Sequence, residues 1–228
     1  MKKQIIVVGL GRFGQTIAST LSSIGHEVLA IDEDEALVQQ AASEVTHAVQ
    51  VNATNEAALR ELGINNFDIG IVTIPVIETS VLSTILLKKL GVKYIIARAG
   101  NDLHETILEK IGVDKVVYPE REMGSAIAYV LTLGNVIDYI PVTTEYGVSK
   151  MSVQPFFVGK SLSELGFGHR GAWQIIVLLL QRKNEILVNP SGTEEIRHGD
   201  VLIVSGNVDK LEELFAHLQK TISAEKED

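Results

Sequence analysis

Short apolar runs rich in β-branched residues alternate with stretches of helical period through the first half of the chain. A parallel strand needs a crossover connection before its neighbour, and that connection is usually a helix. The alternation therefore predicts an α/β fold with a Rossmann-type, doubly wound parallel sheet of six strands. The strands are expected at residues 5–8, 28–31, 48–51, 69–74, 94–97 and 116–118.

The pattern changes beyond residue 118. A helix is predicted from Glu120 to Ile137, interrupted at Gly134, and strand-like runs then dominate until an amphipathic terminal helix. These features indicate a small α+β domain. We place the first domain at residues 1–138 and the second at residues 139–228, with the connection near Pro141–Gly147.

The turn Gly9-Leu10-Gly11-Arg12-Phe13-Gly14 lies between the first predicted strand and the first predicted helix. A G-x-G-x-x-G pattern alone is weak, because glycines also build ordinary turns, but a strand before it and a helix after it are typical of a nucleotide site. Gly9 permits the tight turn, Gly11 lets the backbone approach phosphates, and Gly14 lets the helix pack on the strand. The free N–H groups of the helix start would bind the phosphates.

Polar residues that follow other strands are candidates for the same site. Asp32 ends the second strand, where it can accept hydrogen bonds from a ribose diol and disfavours the 2′-phosphate of NADP. Asn52-Ala53-Thr54 follows the third strand and can contact adenine, although Thr54 as the cap of the next helix is an equal alternative. Arg12 and Arg98 are candidate phosphate partners. The alternative for Arg12 is a solvated arginine at a helix start.

Glu120 stands just beyond the sixth predicted strand. A carboxylate near phosphates is repulsive unless a divalent cation bridges them, so a Glu120 that faces the site implies Mg²⁺ or a similar ion. Otherwise Glu120 is a first-turn glutamate favoured by the helix dipole. The sequence leaves both interpretations open.

Charge and composition narrow the possible functions. The formal net charge is -9 and no basic stripe or helix-turn-helix signal is visible, so nucleic acid is not expected as a partner. The chain has no cysteine, which excludes disulfides and thiol chemistry. No apolar run reaches the roughly 18 residues of a membrane span, and the start lacks a signal-peptide pattern. We therefore expect a cytoplasmic location.

Several separated motifs together resemble the RCK (also called KTN) regulators of Ktr- and Trk-type potassium transporters. The resemblance covers essentially the entire chain, as an N-terminal RCK domain followed by a C-terminal RCK domain. The motifs are, in chain order, residues 8–14, 27–32, 46–49, 52–54, 108–114 and 118–120.

This resemblance implies a regulatory subunit rather than an enzyme. Members form homodimers, assemble further into an octameric ring and dock on a membrane-embedded potassium-translocating subunit from its cytoplasmic side. ATP and ADP, and in Trk-type members NAD or NADH, compete for the Rossmann site and change the shape of the ring. The helix from Glu120 to Ile137 would be the crossover element that paired subunits exchange.

The family's site residues carry over onto matching positions of this sequence. Asp32 would take the ribose, and Arg12 the terminal phosphate of the nucleotide in the neighbouring subunit. Arg98 would lie near the phosphates. The residues expected to bind the nucleotide are Gly9, Gly11, Arg12, Phe13, Gly14, Asp32, Glu33, Asn52, Ala53, Thr54 and Arg98, with Glu120 as the ligand of a bridging Mg²⁺.

In several relatives the C-terminal domain binds cyclic di-AMP through an arginine in the loop before the strand that corresponds to residues 173–180. In this sequence Gly168 stands at that place, and Arg170 is displaced by two residues. The departure counts against cyclic di-AMP as a ligand.

Two other functions share the Rossmann signature. An NAD-dependent oxidoreductase would need a substrate region and a poised acid or base, but only a compact unit follows the sheet. No histidine falls in a catalytic pattern, and His104 and His217 are predicted to be exposed on helices. A transcriptional sensor would need a DNA-reading helix with basic flanks. The nucleotide-sensing regulatory subunit is therefore the leading hypothesis.

Overall fold

A computed structural model of the chain describes residues 2–132 and 136–224. The chain separates into two compact units, Met1–Glu120 and Arg121–Asp228. Each unit has its own sheet and its own apolar core. Within the described ranges, no helix combines the length and the apolar character needed to cross a bilayer.

The first unit is a parallel six-stranded sheet, as the sequence predicts, in the order β3-β2-β1-β4-β5-β6. Helices connect successive strands, which confirms the doubly wound Rossmann-type fold. The strands are β1 (Gln4–Val8), β2 (Glu27–Asp32), β3 (His47–Gln50), β4 (Ile69–Val72), β5 (Tyr94–Arg98) and β6 (Lys115–Val117). The helices are α1 (Arg12–Ser23), α2 (Glu35–Ala41), α3 (Glu56–Glu61), α4 (Ile77–Lys89) and α5 (Asp102–Lys110). A further helix, α6 (Pro119–Thr132), begins with the last two residues of this unit and otherwise belongs to the second.

Strand β1 lies at the centre of this sheet and is buried on both faces. Ile5 and Val7 belong to one apolar cluster, whereas Ile6 and Val8 belong to a second. A strand that is covered on both sides reads as a continuous apolar run. The unbroken Ile-Ile-Val-Val sequence therefore follows from the helices packed on both faces.

The strand order reverses between β1 and β4. β2 and β3 extend the sheet on one side of β1, and β4, β5 and β6 extend it on the other. The connections that leave β1 and β4 therefore diverge and open a crevice at the carboxyl ends of these strands. Open α/β sheets bind their ligands at such a reversal.

The second unit is a five-stranded antiparallel sheet in the order β10-β9-β11-β8-β7, with a terminal helix against it. Leu211, Leu214, Phe215 and Leu218 are the buried face of that helix, as their spacing predicts. The two-residue turn at Lys183-Asn184 is also confirmed, with Lys183 at a φ of 52°. The elements are β7 (Val136–Pro141), β8 (Tyr146–Ser152), β9 (Ile176–Arg182), β10 (Glu185–Val188), β11 (Val201–Asn207) and α7 (Val208–Ala224).

The predicted helix from Glu120 to Ile137 is wrong at its carboxyl end. α6 ends at Thr132, and β7 begins at Val136; the predicted interruption at Gly134 lies outside the described residues. β7 carries an irregularity between Val136 and Asp138 that places its buried residues, Val136 and Tyr139, three positions apart. An irregularity of this kind disrupts the regular alternation of buried and exposed residues by which a strand is predicted.

The predicted connection at Pro141–Gly147 is wrong as well. Pro141 ends β7 and Gly147 lies in β8, so residues 142–145 are the turn of a hairpin within the second unit. The amides of Val142 and Thr143 both donate to the Tyr146 carbonyl at 2.9 Å. The domain limits at residues 138 and 139 stay a prediction.

Candidate functional site

A cavity of about 540 Å³ lies at the carboxyl edge of the first sheet, where the strand order reverses. Its described lining includes every residue predicted for the nucleotide and metal site except Thr54. The predicted residues that line it are Gly9, Gly11, Arg12, Phe13, Gly14, Asp32, Glu33, Asn52, Ala53, Arg98 and Glu120. Residues from five separate strand ends are therefore brought to one cavity by the fold.

The three glycines of the turn differ in what requires them. Gly9 has a φ of 94°, in the left-handed region that glycine adopts readily. A Cβ on Gly14 would lie 2.0 Å from the Gly9 carbonyl oxygen, so packing of α1 against the turn requires glycine there. Gly11 has an ordinary φ of -60°, and no described atom lies within 4 Å of its missing Cβ. Internal packing therefore accounts for Gly9 and Gly14 but not for Gly11.

Two of the helices that begin at the cavity, α1 and α4, have open N-termini. No side chain of the described residues caps α1, which begins after Gly11, or α4, which begins after Val76. In contrast, Asp34, Asn55 and Asn101 cap α2, α3 and α5. Uncapped N–H groups and the positive end of the helix dipole favour an anion. The ends of β1 and β4 therefore each lead into a helix whose uncapped, positive end lies at the cavity.

Asp32 ends β2 and holds the glycine turn. Its Oδ2 accepts a hydrogen bond from the Leu10 amide at 2.6 Å, and its Oδ1 accepts one from the Asp34 amide at 2.9 Å. A carboxylate can accept about four hydrogen bonds. Asp32 therefore retains acceptor capacity toward the cavity while its orientation is fixed.

The segment after β3 brings two of its three predicted residues to the cavity and excludes one alternative. Asn52 and Ala53 line the cavity. Asn52 Oδ1 accepts hydrogen bonds from the Thr54 amide and from Thr54 Oγ1, at 2.8 and 2.7 Å. The alternative that Thr54 caps the next helix is wrong, because Asn55 caps α3 by accepting from the Ala58 amide. Thr54 therefore contacts Asn52 and does not appear in the described lining of the cavity.

Arg98 and Glu120 form an ion pair at the other end of the cavity. The Arg98 hydrogen bond lowers the pKa of Glu120 below its ordinary value of 4.5. Arg98 Nε is buried and has no hydrogen-bond partner among the described residues. A buried donor without a partner is costly, so Arg98 is a group that an added acceptor would satisfy.

The metal prediction for Glu120 gains no second protein ligand from this arrangement. Among the described residues, no three acidic or histidine side chains cluster in a way that could hold a metal ion. A cation at Glu120 would therefore need ligands from elsewhere, such as phosphate oxygens and water, which is the usual way Mg²⁺ is held beside a nucleotide.

The sequence analysis missed the segment that follows β4. Thr73, Ile74, Pro75, Val76 and Thr79 all line the cavity. Thr73 is buried, and its Oγ1 donates to the Gly9 carbonyl oxygen at 2.8 Å, which ties the end of β4 to the glycine turn. The signal that identifies this segment is strand order, because β4 lies beside β1 in a sheet of this type.

His104 was predicted to be exposed, and that prediction is wrong. Its side chain is fully buried in the first turn of α5, with Nε2 3.1 Å from Ser80 Oγ and Nδ1 3.3 Å from the Gly100 amide nitrogen. Burial lowers the pKa of His104 below its ordinary value of 6.5, and the charge of Arg98 lowers it further. His217 is exposed, as predicted.

Two domain families match the chain in order. The TrkA-N domain matches residues 5–119, and the TrkA-C domain matches residues 154–219. The solved GsuK channel bound to NAD has the same fold, with a TM-score of 0.65 at 17% sequence identity over 94% of this chain. This chain spans about 40% of that channel chain.

Two relatives are similar over nearly their whole length. Ktr system potassium uptake protein C of Bacillus subtilis (strain 168) is 41% identical over 209 residues, which are 91% of this chain and 94% of the relative. Ktr system potassium uptake protein A of the same organism is 40% identical over 206 residues, which are 90% and 92% of the two chains. The resemblance seen in the motifs is thus confirmed, and the chain belongs to the family that joins a TrkA-N domain to a TrkA-C domain.

Proposed function

We propose that this chain is a nucleotide-sensing regulatory subunit of a membrane potassium transporter, with the nucleotide held in the cavity of the first unit. Both relatives are named as potassium uptake proteins, which supports a role in potassium transport. The unfilled space beside Gly11 is the single observation that most directly supports a bound ligand. This space serves no packing within the described chain, and it lies at an open helix N-terminus. A phosphate group would occupy such a space.

The strand order supports one direction for an adenine nucleotide in the cavity. Its phosphates would meet the N-termini of α1 and α4 at the ends of β1 and β4. Its ribose would meet Asp32 at the end of β2, and its adenine would reach Asn52 and Ala53 beyond β3. ATP and ADP are the proposed ligands, with NAD or NADH as alternatives that share the adenosine half.

The terminal phosphate would bind near Arg98 and Glu120, at the end of the cavity away from the adenine. Arg98 offers a buried donor without a described partner, and Arg12 is exposed at the start of α1. The phosphate would compete with Glu120 for Arg98, and a Mg²⁺ ion between Glu120 and the phosphate oxygens would remove the repulsion between the two anions. ATP would thereby make contacts that ADP cannot make.

Regulation would follow from this difference in contacts. A ligand shifts a conformational equilibrium only as far as its affinities for the two states differ. Couplings of about 1–3 kcal/mol per site correspond to a bias of roughly 5-fold to 150-fold. In an octameric ring built from homodimers, several such sites would act together on a membrane-embedded potassium-translocating subunit. The chain would then work at the cytoplasmic face of the membrane.

In the proposed role the chain binds the nucleotide without converting it to a product. The alternative function, an NAD-dependent oxidoreductase, would convert it. Cyclic di-AMP is not proposed for the second unit, because Gly168 replaces the arginine that relatives use.

Replacement of Asp32 by alanine tests the proposed function. Loss of the ribose hydrogen bonds to a carboxylate is expected to weaken ATP, ADP and NAD alike, by about thirtyfold or more. Asp34→Ala is the matched control, since it removes a carboxylate two residues away that caps α2 and does not appear in the described lining of the cavity. Calorimetric affinities that are equal for wild type and Asp32→Ala would contradict the assignment.

A further inference from the structure

His104 connects two walls of the cavity without lining it. Its Nε2 contacts Ser80 Oγ in the first turn of α4, next to the cavity residue Thr79. Its Nδ1 contacts the amide of Gly100, two residues after Arg98. One buried side chain therefore joins the uncapped N-terminus of α4 to the loop that carries Arg98.

The hydrogen-bond partners determine where the imidazole proton lies. The Gly100 amide is a donor, so Nδ1 must accept, and the proton of the neutral ring is then on Nε2, which donates to Ser80 Oγ. The ring uses both nitrogens, each toward a different wall. A side chain that only filled the space between α4 and α5 would need no such pair of polar contacts, and polar groups are costly to bury.

The loop from Arg98 to Gly100 has further anchors. Tyr118 Oη donates to the Gly100 carbonyl oxygen at 3.2 Å, and the His104 amide donates to Asn101 Oδ1 at 2.9 Å. The backbone just beyond Arg98 is thus held from both sides, while Arg98 itself extends to Glu120. The position of the guanidinium relative to α4 depends on these contacts.

We propose that His104 is a positioning residue that fixes Arg98 against the N-terminus of α4, so that both meet the same terminal phosphate. This inference rests on the proposed nucleotide function. It assigns to a side chain outside the cavity a selective effect on phosphate binding. Adenosine, which lacks phosphates, should be insensitive to it.

Three substitutions separate the two contacts of the ring. His104→Leu removes both, His104→Asn keeps an acceptor oxygen at the position of Nδ1, and Ser80→Ala removes only the partner of Nε2. We expect His104→Leu to weaken ATP by about fivefold to tenfold, which corresponds to one or two lost hydrogen bonds, and to leave the affinity for ADP, which lacks the terminal phosphate, nearly unchanged. His104→Asn should recover most of that loss, because the Gly100 contact remains. Adenosine affinity should not change in any of them.

A double-mutant cycle tests whether the effect passes through Arg98. In the Arg98→Ala background, His104→Leu should cause no further loss of ATP affinity, whereas independent effects would add. Calorimetry on the full chain gives the affinities, and thermal unfolding in parallel shows whether each variant is folded. If His104→Leu does not fold, Ser80→Ala carries the same comparison of ATP with adenosine: loss of the Nε2 contact alone should weaken ATP by about twofold and leave adenosine unchanged, and an unchanged ATP affinity would overturn the positioning role.

The outcomes distinguish this inference from the proposed function. No binding of ATP, ADP or NAD by the wild type would overturn the proposed function itself. Wild-type ATP binding that stays equally tight in His104→Leu, falls equally for adenosine, or falls additively with Arg98→Ala would overturn the positioning role alone.

Discussion

The two units of the chain differ in whether their buried charged groups have hydrogen-bond partners. In the second unit, Arg182 donates to Asp200, to Glu194 and to the Glu195 carbonyl oxygen, and Asp200 also accepts from the Arg197 amide. Asp200 is only 1% exposed, and both of its carboxylate oxygens accept hydrogen bonds from residues of the second unit. In the first unit, Arg98 keeps a buried Nε without a described partner, and two helices present uncapped N-termini to the cavity.

The difference distinguishes a structural cluster from the proposed binding site. A buried charge that finds all of its partners inside the chain fixes the fold locally. Donors that are held in place without a partner favour the binding of a ligand that carries an acceptor, because a buried donor without a partner is costly. Substitutions in the two places should therefore affect different quantities: stability in the second unit and ligand affinity in the first.

The largest expected effect is on the stability of the second unit. Asp200→Asn removes one charge of a buried pair, which should lower the free energy of unfolding by about 3 kcal/mol. Trp173 is the one tryptophan of the chain and lies in this unit, so urea unfolding followed by its fluorescence reports the change. Nucleotide affinity should stay at the wild-type value. A loss of nucleotide affinity in Asp200→Asn without a loss of stability would contradict the difference proposed between the two units.

The same cluster predicts a pH dependence. Burial alone would raise the pKa of Asp200, but the hydrogen bonds and charge of Arg182 outweigh it and leave the pKa below its ordinary 3.8. Because the folded pKa lies below the unfolded one, the contribution of this carboxylate is complete above about pH 3.8 and is lost as the pH falls through the folded value. Acid unfolding of the second unit should therefore be less steep in Asp200→Asn.

A smaller effect is expected at the glycine turn, where affinity rather than stability should change. Gly11→Ala has an allowed φ and space for its Cβ, so the fold should persist. The methyl group would push a phosphate away from the N-terminus of α1, which should cost about 2 kcal/mol of binding, or about thirtyfold in affinity. Gly14→Ala is the contrasting variant, since its Cβ would collide with the Gly9 carbonyl and should lower the melting temperature. An unchanged affinity in Gly11→Ala would remove the principal support for the ligand.

Arg12→Ala should separate ATP from ADP. If the guanidinium meets only the terminal phosphate, ATP affinity should fall by about tenfold while ADP affinity stays nearly constant. Isothermal calorimetry with the two nucleotides measures the ratio. Equal losses for both would place Arg12 at a phosphate that they share.

The smallest expected effect concerns the cation. Glu120→Gln should abolish the gain in ATP affinity that Mg²⁺ provides, a change of about twofold to fivefold at this exposed position. It should also free Arg98 for the phosphate, so that binding without Mg²⁺ becomes tighter than in the wild type. A Mg²⁺ dependence that survives the substitution would show that the ion is held elsewhere.

Local patterns in the sequence predicted most of the first unit. The glycine turn and Asp32 could be predicted to lie together at the carboxyl edge of the sheet, because a strand precedes the turn, a helix follows it and Asp32 ends the next strand. The role of Thr73 and its neighbours could not be read locally, since it depends on β4 lying beside β1. His104 shows a different limit: it shares a buried face of α5 with Leu108, four residues on, but polar residues are ordinarily assigned to the exposed side.

The second unit was harder to predict where the backbone departs from regular geometry. Its terminal helix followed directly from the spacing of four apolar residues. The predicted helix included Val136 and Ile137, the first two residues of β7, where an irregularity interrupts the regular pairing of the strand. The error then displaced the predicted connection into a hairpin turn.

Competitive calorimetry of the full chain with ATP, ADP, NAD and NADH, with and without Mg²⁺, tests the central claim most directly. The account predicts one nucleotide per first unit, mutual displacement among the four ligands, a gain from Mg²⁺ for ATP, and recovery of the bound nucleotide unchanged. Absence of binding by all four, or steady conversion of the bound molecule to product, would contradict it.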